Sequence, residues 1–152
     1  MKPAWSGRCK QNMPGKPKKK TKEVYVLDAY ALLAFLEAEA GGKRVRDLLE
    51  ETKNCFYISA VSLGEVYYTI LRERGKEAAE KVEAEINQAG NIYVVDATWE
   101  MAKAAGEFKA RGGISYADCF AAALAMEKNA LLVTGDREFE HVADKIRIFW
   151  IV

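Results

Sequence analysis

Four acidic residues stand beside apolar segments at widely separated points of the chain, where their side chains could bind a metal ion. They are Asp28, Glu65, Asp118 and Asp136. Carboxylates held close together raise one another's pKa and oppose folding, so such a cluster needs a cation. Mg²⁺ and Mn²⁺ prefer oxygen ligands, and a bound ion of this kind neutralises charge on a phosphate that is being cleaved. If the fold gathers these acids, they predict a metal site for phosphodiester cleavage.

Short β-rich runs alternate with helical patterns from Val24 onward, which is typical of βαβ units and a mainly parallel sheet. Strands are predicted at 24–27, 55–58, 92–95, 130–133 and near 146–151, and helices at 29–39, 43–51, 59–74, 76–89, 98–111 and 115–128. A loop is predicted at 134–141, and Asp96 or Thr98 is expected to cap the fifth helix. The pattern indicates a single α/β domain over residues 24–152.

The order of these elements determines where the acids fall. Each strand points to one edge of the sheet, and the helix that follows begins at that edge. Asp28 ends the first strand, and Asp136 lies three residues past the predicted end of the fourth. Glu65 lies near the start of the helix after strand two, and Asp118 lies in the first turn of the helix before strand four. With strand one between strands two and four, all four side chains reach one edge.

Ordinary structural roles compete with this interpretation. Ser115 and Asp118 match a capping box, which would explain the acid without chemistry. Asp136 follows Gly135 and could be a turn residue, and Glu65 could be a solvated helix residue. Asp96 also ends a strand, but a capping role explains it sufficiently.

Composition excludes several classes of function. His141 is the only histidine, so a zinc site or a histidine acid–base mechanism has little material. The three cysteines lack C-x-x-C spacing, and neither G-x-G-x-x-G nor a P-loop is present. No apolar run approaches the roughly 18 residues of a membrane span, and the first residues lack the apolar core of a signal peptide. We therefore expect a cytoplasmic protein with no membrane partner.

Residues 1–23 differ from the remainder of the chain. They contain eight basic residues, one acid and all three prolines. A segment with so few apolar residues cannot offset its ordering entropy, so it is expected to be disordered. It is either a basic tail that adds salt-sensitive affinity for nucleic acid or a leader outside the native domain.

Four sequence motifs surround the four acids. They are VYVLDAYALLAFL around Asp28, ISAVSLGEV around Glu65, ISYADCFAAALA around Asp118 and LLVTGDREF around Asp136. In this order and spacing the chain from Val24 to Val152 resembles the PIN-domain ribonucleases, in particular the toxin subunits of VapBC-type toxin–antitoxin pairs.

The resemblance implies a fold, an activity and partners. The fold is a three-layer α/β/α arrangement with a five-stranded sheet of order 3-2-1-4-5. The activity is hydrolytic cleavage of RNA with Mg²⁺ or Mn²⁺ bound by the four matching acids. Thr134 would hydrogen-bond a metal-bound water, and the partners would be an antitoxin protein and a second copy in a homodimer. Tyr30 and Glu138 depart from the family pattern, so the expected site is limited to the four acids and Thr134.

Two other classes of function stay open at this stage. A receiver-type phosphoacceptor domain could use Asp28, Asp96 and Thr134 at strand ends. A non-catalytic module that binds RNA or protein could retain the fold and use the basic tail for contact.

Overall fold

The computed structural model describes residues 22–152, so the expectations for the basic tail lie outside the described residues, apart from its last two. The strands are β1 (Val24–Leu27), β2 (Cys55–Ser59), β3 (Ile92–Val95), β4 (Leu131–Thr134) and β5 (Arg147–Trp150). The helices are α1 (Ala29–Leu36), α2 (Gly42–Glu50), α3 (Ala60–Arg74), α4 (Lys76–Gln88), α5 (Trp99–Arg111) and α6 (Tyr116–Lys128), with a 3₁₀ helix at Arg137–Val142.

The five strands form one sheet with the order β3-β2-β1-β4-β5, and every neighbouring pair is parallel. Strand β1 is central, since Leu27 aligns with Ile58 of β2 on one side and with Val133 of β4 on the other. The predicted order is therefore confirmed. All strands end at the same edge, which places the residues after β1 and β4 side by side.

Helices cover both faces of the sheet, because successive strand residues point to opposite sides. Tyr25 and Leu27 lie in a buried cluster with residues of α1 to α4. Val26 and Leu132 lie in a second cluster with residues of α5, α6 and the 3₁₀ helix, including Phe139. Burial of these two apolar layers stabilises the three-layer fold and confirms the predicted α/β/α architecture.

Several predicted boundaries were wrong by a few residues. Helix α1 ends at Leu36, three residues early, and Ala38 adopts a positive φ of 52°. Strand β4 is shifted by one residue, so Asp136 lies two residues past its end. The loop predicted at 134–141 contains the 3₁₀ helix, because the Asp136 side chain accepts a hydrogen bond from the Glu138 backbone and caps it.

The N-terminal cap of α5 distinguishes between the two residues predicted for it. Thr98, and not Asp96, caps α5: its hydroxyl accepts a hydrogen bond from the Met101 backbone N–H. Asp96 is exposed and does not have the capping role that would have explained its place after a strand.

Across residues 22–152, no helix has the length and apolar character needed to cross a membrane.

Candidate metal centre

Asp28 is the most buried acid of the site, with 1% of its surface exposed. It follows β1 directly and caps α1, because its Oδ1 accepts a hydrogen bond from the Ala31 backbone N–H at 2.8 Å. Its Oδ2 accepts a hydrogen bond from the Thr134 hydroxyl. Burial raises the pKa of Asp28 to about 7, with a smaller contribution from repulsion by Asp118 and Asp136, while its two hydrogen bonds oppose the shift.

Thr134 connects the first acidic motif to the last. It is fully buried at the end of β4, beside the end of β1. Its hydroxyl donates to Asp28 and also accepts a hydrogen bond from the Asp136 backbone N–H at 3.0 Å. The hydroxyl therefore orients Asp28 and fixes the backbone at Asp136 together.

Asp118 lies in the first turn of α6, where Ser115 caps the helix by accepting a hydrogen bond from the Asp118 backbone N–H. The Ser115 backbone N–H, which the acid of a capping box would bind, donates instead to Glu138 Oε2 at 3.2 Å. Burial raises the pKa of Asp118 to about 6, and repulsion from Asp136, Glu65 and Glu138 adds to it, whereas Ser115 lowers it. The carboxylate thus belongs electrostatically to the acidic cluster.

The acidic trio, which we define as Asp118, Asp136 and Glu138, is the tightest group of carboxylates. One oxygen from each of the three lies within 4.8 Å of the other two, and no other group of three potential ligands does so among residues 22–152. Ligands of Mg²⁺ lie about 2.1 Å from the ion, so two of them are at most about 4.2 Å apart. The trio's oxygen atoms, each within 4.8 Å of the other two, exceed this distance by at most about 0.6 Å, which small side-chain movements would remove. The trio and its hard oxygen atoms therefore fit one divalent ion.

The predicted acids all reach this edge of the sheet, although not equally closely. Asp118 and Asp136 belong to the trio, and Asp28 is near enough for both to raise its pKa. Glu65 lies in the second turn of α3, where burial and then repulsion from Asp136 raise its pKa. Neither Asp28 nor Glu65 joins a tight group of three with the others among the described residues.

Glu138 was left out of the predicted site, but the structure places it in the trio. Its backbone N–H donates to Asp136 Oδ1 at 2.9 Å, which forms the tight turn that begins the 3₁₀ helix. This turn returns the Glu138 side chain towards Ser115. The available signal was the spacing of two residues between Asp136 and Glu138, which suits an Asx turn.

The fold agrees with comparisons to known proteins. The family model of the PIN domain matches residues 25–145, and the chain therefore belongs to the PIN domain family. No curated protein matches the chain.

Solved structures with a similar fold come from several bacteria. The VapC20 toxin of Mycobacterium tuberculosis, described as cleaving the sarcin–ricin loop, has 21% identity and a TM-score of 0.66, covering 78% of this chain and 94% of that one. DNA-bound VapBC from Salmonella typhimurium has 22% identity and a TM-score of 0.65, covering 86% and 99%. VapBC2 from Rickettsia felis, bound to a promoter fragment, has 19% identity and a TM-score of 0.63, covering 83% and 97%. At these identities the likeness establishes the fold.

Proposed function

We propose that this protein is a metal-dependent ribonuclease that hydrolyses RNA phosphodiester bonds with Mg²⁺ or Mn²⁺. The observation that carries the proposal is the spacing of the acidic trio, with Asp28 buried beside it at the end of the central strand. Membership of the PIN domain family and the fold shared with an RNA-cleaving toxin support it. We propose that the protein acts in the cytoplasm, where its RNA substrate is present.

The proposal assigns a role to each acidic residue and to Thr134. Asp118 and Asp136 would hold the ion, and Asp28 and Glu65 would complete its surroundings, with Glu138 as a further ligand. Thr134 would keep Asp28 in one orientation through its hydrogen bond and could accept one from a bound water. A bound ion supplies neutralisation of phosphate charge and lowers the pKa of a coordinated water. The protein's own residues hold the carboxylates in place, since hydrogen bonds from Ala31 and Thr134 fix the Asp28 side chain.

The proposal predicts that Asp118→Asn loses RNA cleavage by about 100-fold or more, because a neutral amide binds a divalent ion weakly. The measurement is cleavage of total RNA and of short single-stranded RNA with Mg²⁺ or Mn²⁺, and with EDTA as the metal-free reference. The matched control is Asp47→Asn, since Asp47 is an exposed acid of α2 paired with Lys43. Equal activity of the wild type and Asp118→Asn would contradict the proposal.

The geometry gives less support to the other classes of function. A receiver-type site would use Asp96 and would need neither Glu65 nor Asp118, whereas Asp96 is exposed at the end of the outer strand β3 and Asp118 lies in the acidic trio. A non-catalytic module remains a distinct outcome of the experiment. It would retain RNA affinity after substitution of all four predicted acids and would show no turnover with any metal.

We also propose an antitoxin protein as partner and a homodimer as the functional unit. Structures that share the fold are toxin–antitoxin complexes, such as VapBC from Salmonella typhimurium. The large side chains Tyr68 and Leu71 are exposed on α3 and could be covered in an assembly. We expect that expression of this chain alone arrests growth, and that co-expression with the product of an adjacent short reading frame restores growth and gives a stable complex. Light scattering of the purified chain measures its oligomeric state.

A further inference from the structure

An exposed aromatic ring lies against the backbone that joins Thr134 to Asp136. Tyr30 is the second residue of α1, two positions after Asp28. A Cβ atom placed on Gly135 would contact Tyr30 Cε1 and lie 2.8 Å from its Cζ. The ring therefore rests directly on Gly135, the residue between Thr134 and Asp136 in the chain.

The glycine at position 135 is explained by this ring and not by its own backbone conformation. Gly135 is not among the glycines with positive φ, so its backbone would accept an ordinary residue. Any side chain there would instead collide with Tyr30, and also with Val152 Cγ2 at 2.8 Å. Tyr30 and Gly135 are thus sterically matched at the edge of the candidate metal centre.

The ring of Tyr30 is open for contact with another molecule. It is 40% exposed, and its hydroxyl forms no hydrogen bond within the part of the chain that the structure describes. The other half-exposed tyrosines have ring partners, which are Arg72 for Tyr68, Tyr57 for Tyr93 and Phe120 for Tyr116. Among described tyrosines of similar exposure, Tyr30 alone combines a free ring with a position at the acidic edge.

We propose that Tyr30 is a stacking platform for one base of single-stranded RNA next to the cleaved phosphate, an inference that rests on the proposed ribonuclease function. Aromatic faces stack on any nucleobase, and unpaired RNA presents its bases for such contact. Without a bound ion the acids beside the ring repel the phosphate backbone, so contacts that do not depend on charge add to affinity here. Stacking on Tyr30 supplies such a contact.

The test measures binding of ten-nucleotide single-stranded RNAs that carry 2-aminopurine at one position each, a base whose fluorescence is quenched by stacking. Asp118→Asn serves as the background, so that cleavage does not interfere. Tyr30→Leu should weaken binding by about 10-fold and abolish the quenching at one position. Tyr30→Phe keeps the ring and should bind within about 2-fold of the parent.

The matched control is Tyr93→Leu, because Tyr93 is 42% exposed, close to the value for Tyr30. Its ring contacts Tyr57, which lies under Lys128 at the end of α6, away from the acidic edge. This substitution should leave binding and quenching unchanged. Thermal unfolding of each variant shows whether a loss of binding is a loss of fold.

The outcomes separate this inference from the function on which it rests. A wild-type protein that neither binds nor cleaves RNA overturns both. A wild-type protein that cleaves RNA, with Tyr30→Leu binding as tightly as its parent, overturns the stacking role alone. If the protein that retains Tyr30 binds RNA but quenches 2-aminopurine at no position, the stacking role is also overturned. This result requires no substitution at position 30. In active protein, Tyr30→Leu should raise KM more than it lowers kcat, which a purely structural role would not produce.

Discussion

A single threonine hydroxyl links two acids that lie more than a hundred residues apart in sequence. Thr134 donates to Asp28, 106 positions earlier, and accepts from the backbone of Asp136. Both bonds are inside the protein, where an unsatisfied polar group costs more than a hydrogen bond contributes. The geometry of the site at its buried end therefore depends on one side chain.

Thr134→Val should lower the free energy of unfolding by about 1–3 kcal/mol, because it leaves Asp28 Oδ2 without a donor and the Asp136 N–H without an acceptor. Valine retains the shape and removes the hydroxyl. The measurement is urea unfolding at pH 8 without metal. Thr134→Ser retains the hydroxyl and should recover most of the loss; equal stability of the valine variant and the wild type would refute the role given to this group.

At the scale of elements, the link between α1 and α2 is fitted against the end of the chain beyond β5. Gly41 caps α2 with φ of 87°, and a Cβ there would lie 2.8 Å from Ile151 Cγ1. Gly75, between α3 and α4, has the same φ of 87° but nothing within 4 Å of the corresponding point. The two positions thus share a positive φ, but ψ is −15° at Gly41 and 175° at Gly75, and only Gly41 is closely packed.

Gly41→Ala should therefore destabilise the protein more than Gly75→Ala. Both substitutions place an alanine at a positive φ, in backbone regions that cost a residue with a side chain about 1–3 kcal/mol. Only Gly41→Ala also displaces Ile151, and overpacking of this kind costs about 1–3 kcal/mol more. Chemical denaturation of the two variants measures the difference. Equal losses would mean that the loop moves away from Ile151 without cost.

The elements and the sheet order could be predicted from the sequence because alternation of strands and helices restricts a chain to few topologies. The approach of Asp28 and Asp136 to one edge follows from that order. Glu138 was not predicted as a member of the trio, because its two-residue spacing from Asp136 does not give its direction, which depends on the 3₁₀ turn set by a hydrogen bond to Asp136. The contact of Tyr30 with Gly135 joins positions 105 apart, and no local pattern indicates it.

At the scale of the whole molecule, the acidic edge makes the metal-free protein sensitive to pH. The pKa of Asp28 is about 7 in the folded chain against an ordinary value of 3.8. Between these values the folded chain retains a proton that the unfolded chain has lost, so stability is highest below about pH 4 and falls as pH rises to about 7. The difference corresponds to about 4 kcal/mol for this group alone.

Unfolding free energies in EDTA should therefore fall between pH 4 and 8 more steeply for the wild type than for Asp28→Asn, which has no proton to lose. Millimolar Mg²⁺ or Mn²⁺ at pH 8 should restore stability to the wild type, by about 2.7 kcal/mol at 100 times the dissociation constant. Urea denaturation at several pH values measures both effects. Parallel pH profiles for the two proteins would show that Asp28 ionises without cost in the folded state.

The trio also has a consequence for protein synthesis. Two of its three members, Asp136 and Glu138, lie beyond β4, which is itself the strand that inserts beside β1. A ribosome must therefore have translated the chain through Glu138 before the third carboxylate exists. Fragments that terminate before Glu138 cannot assemble the trio, so a translating cell is exposed to its chemistry only from polypeptides that extend past β4.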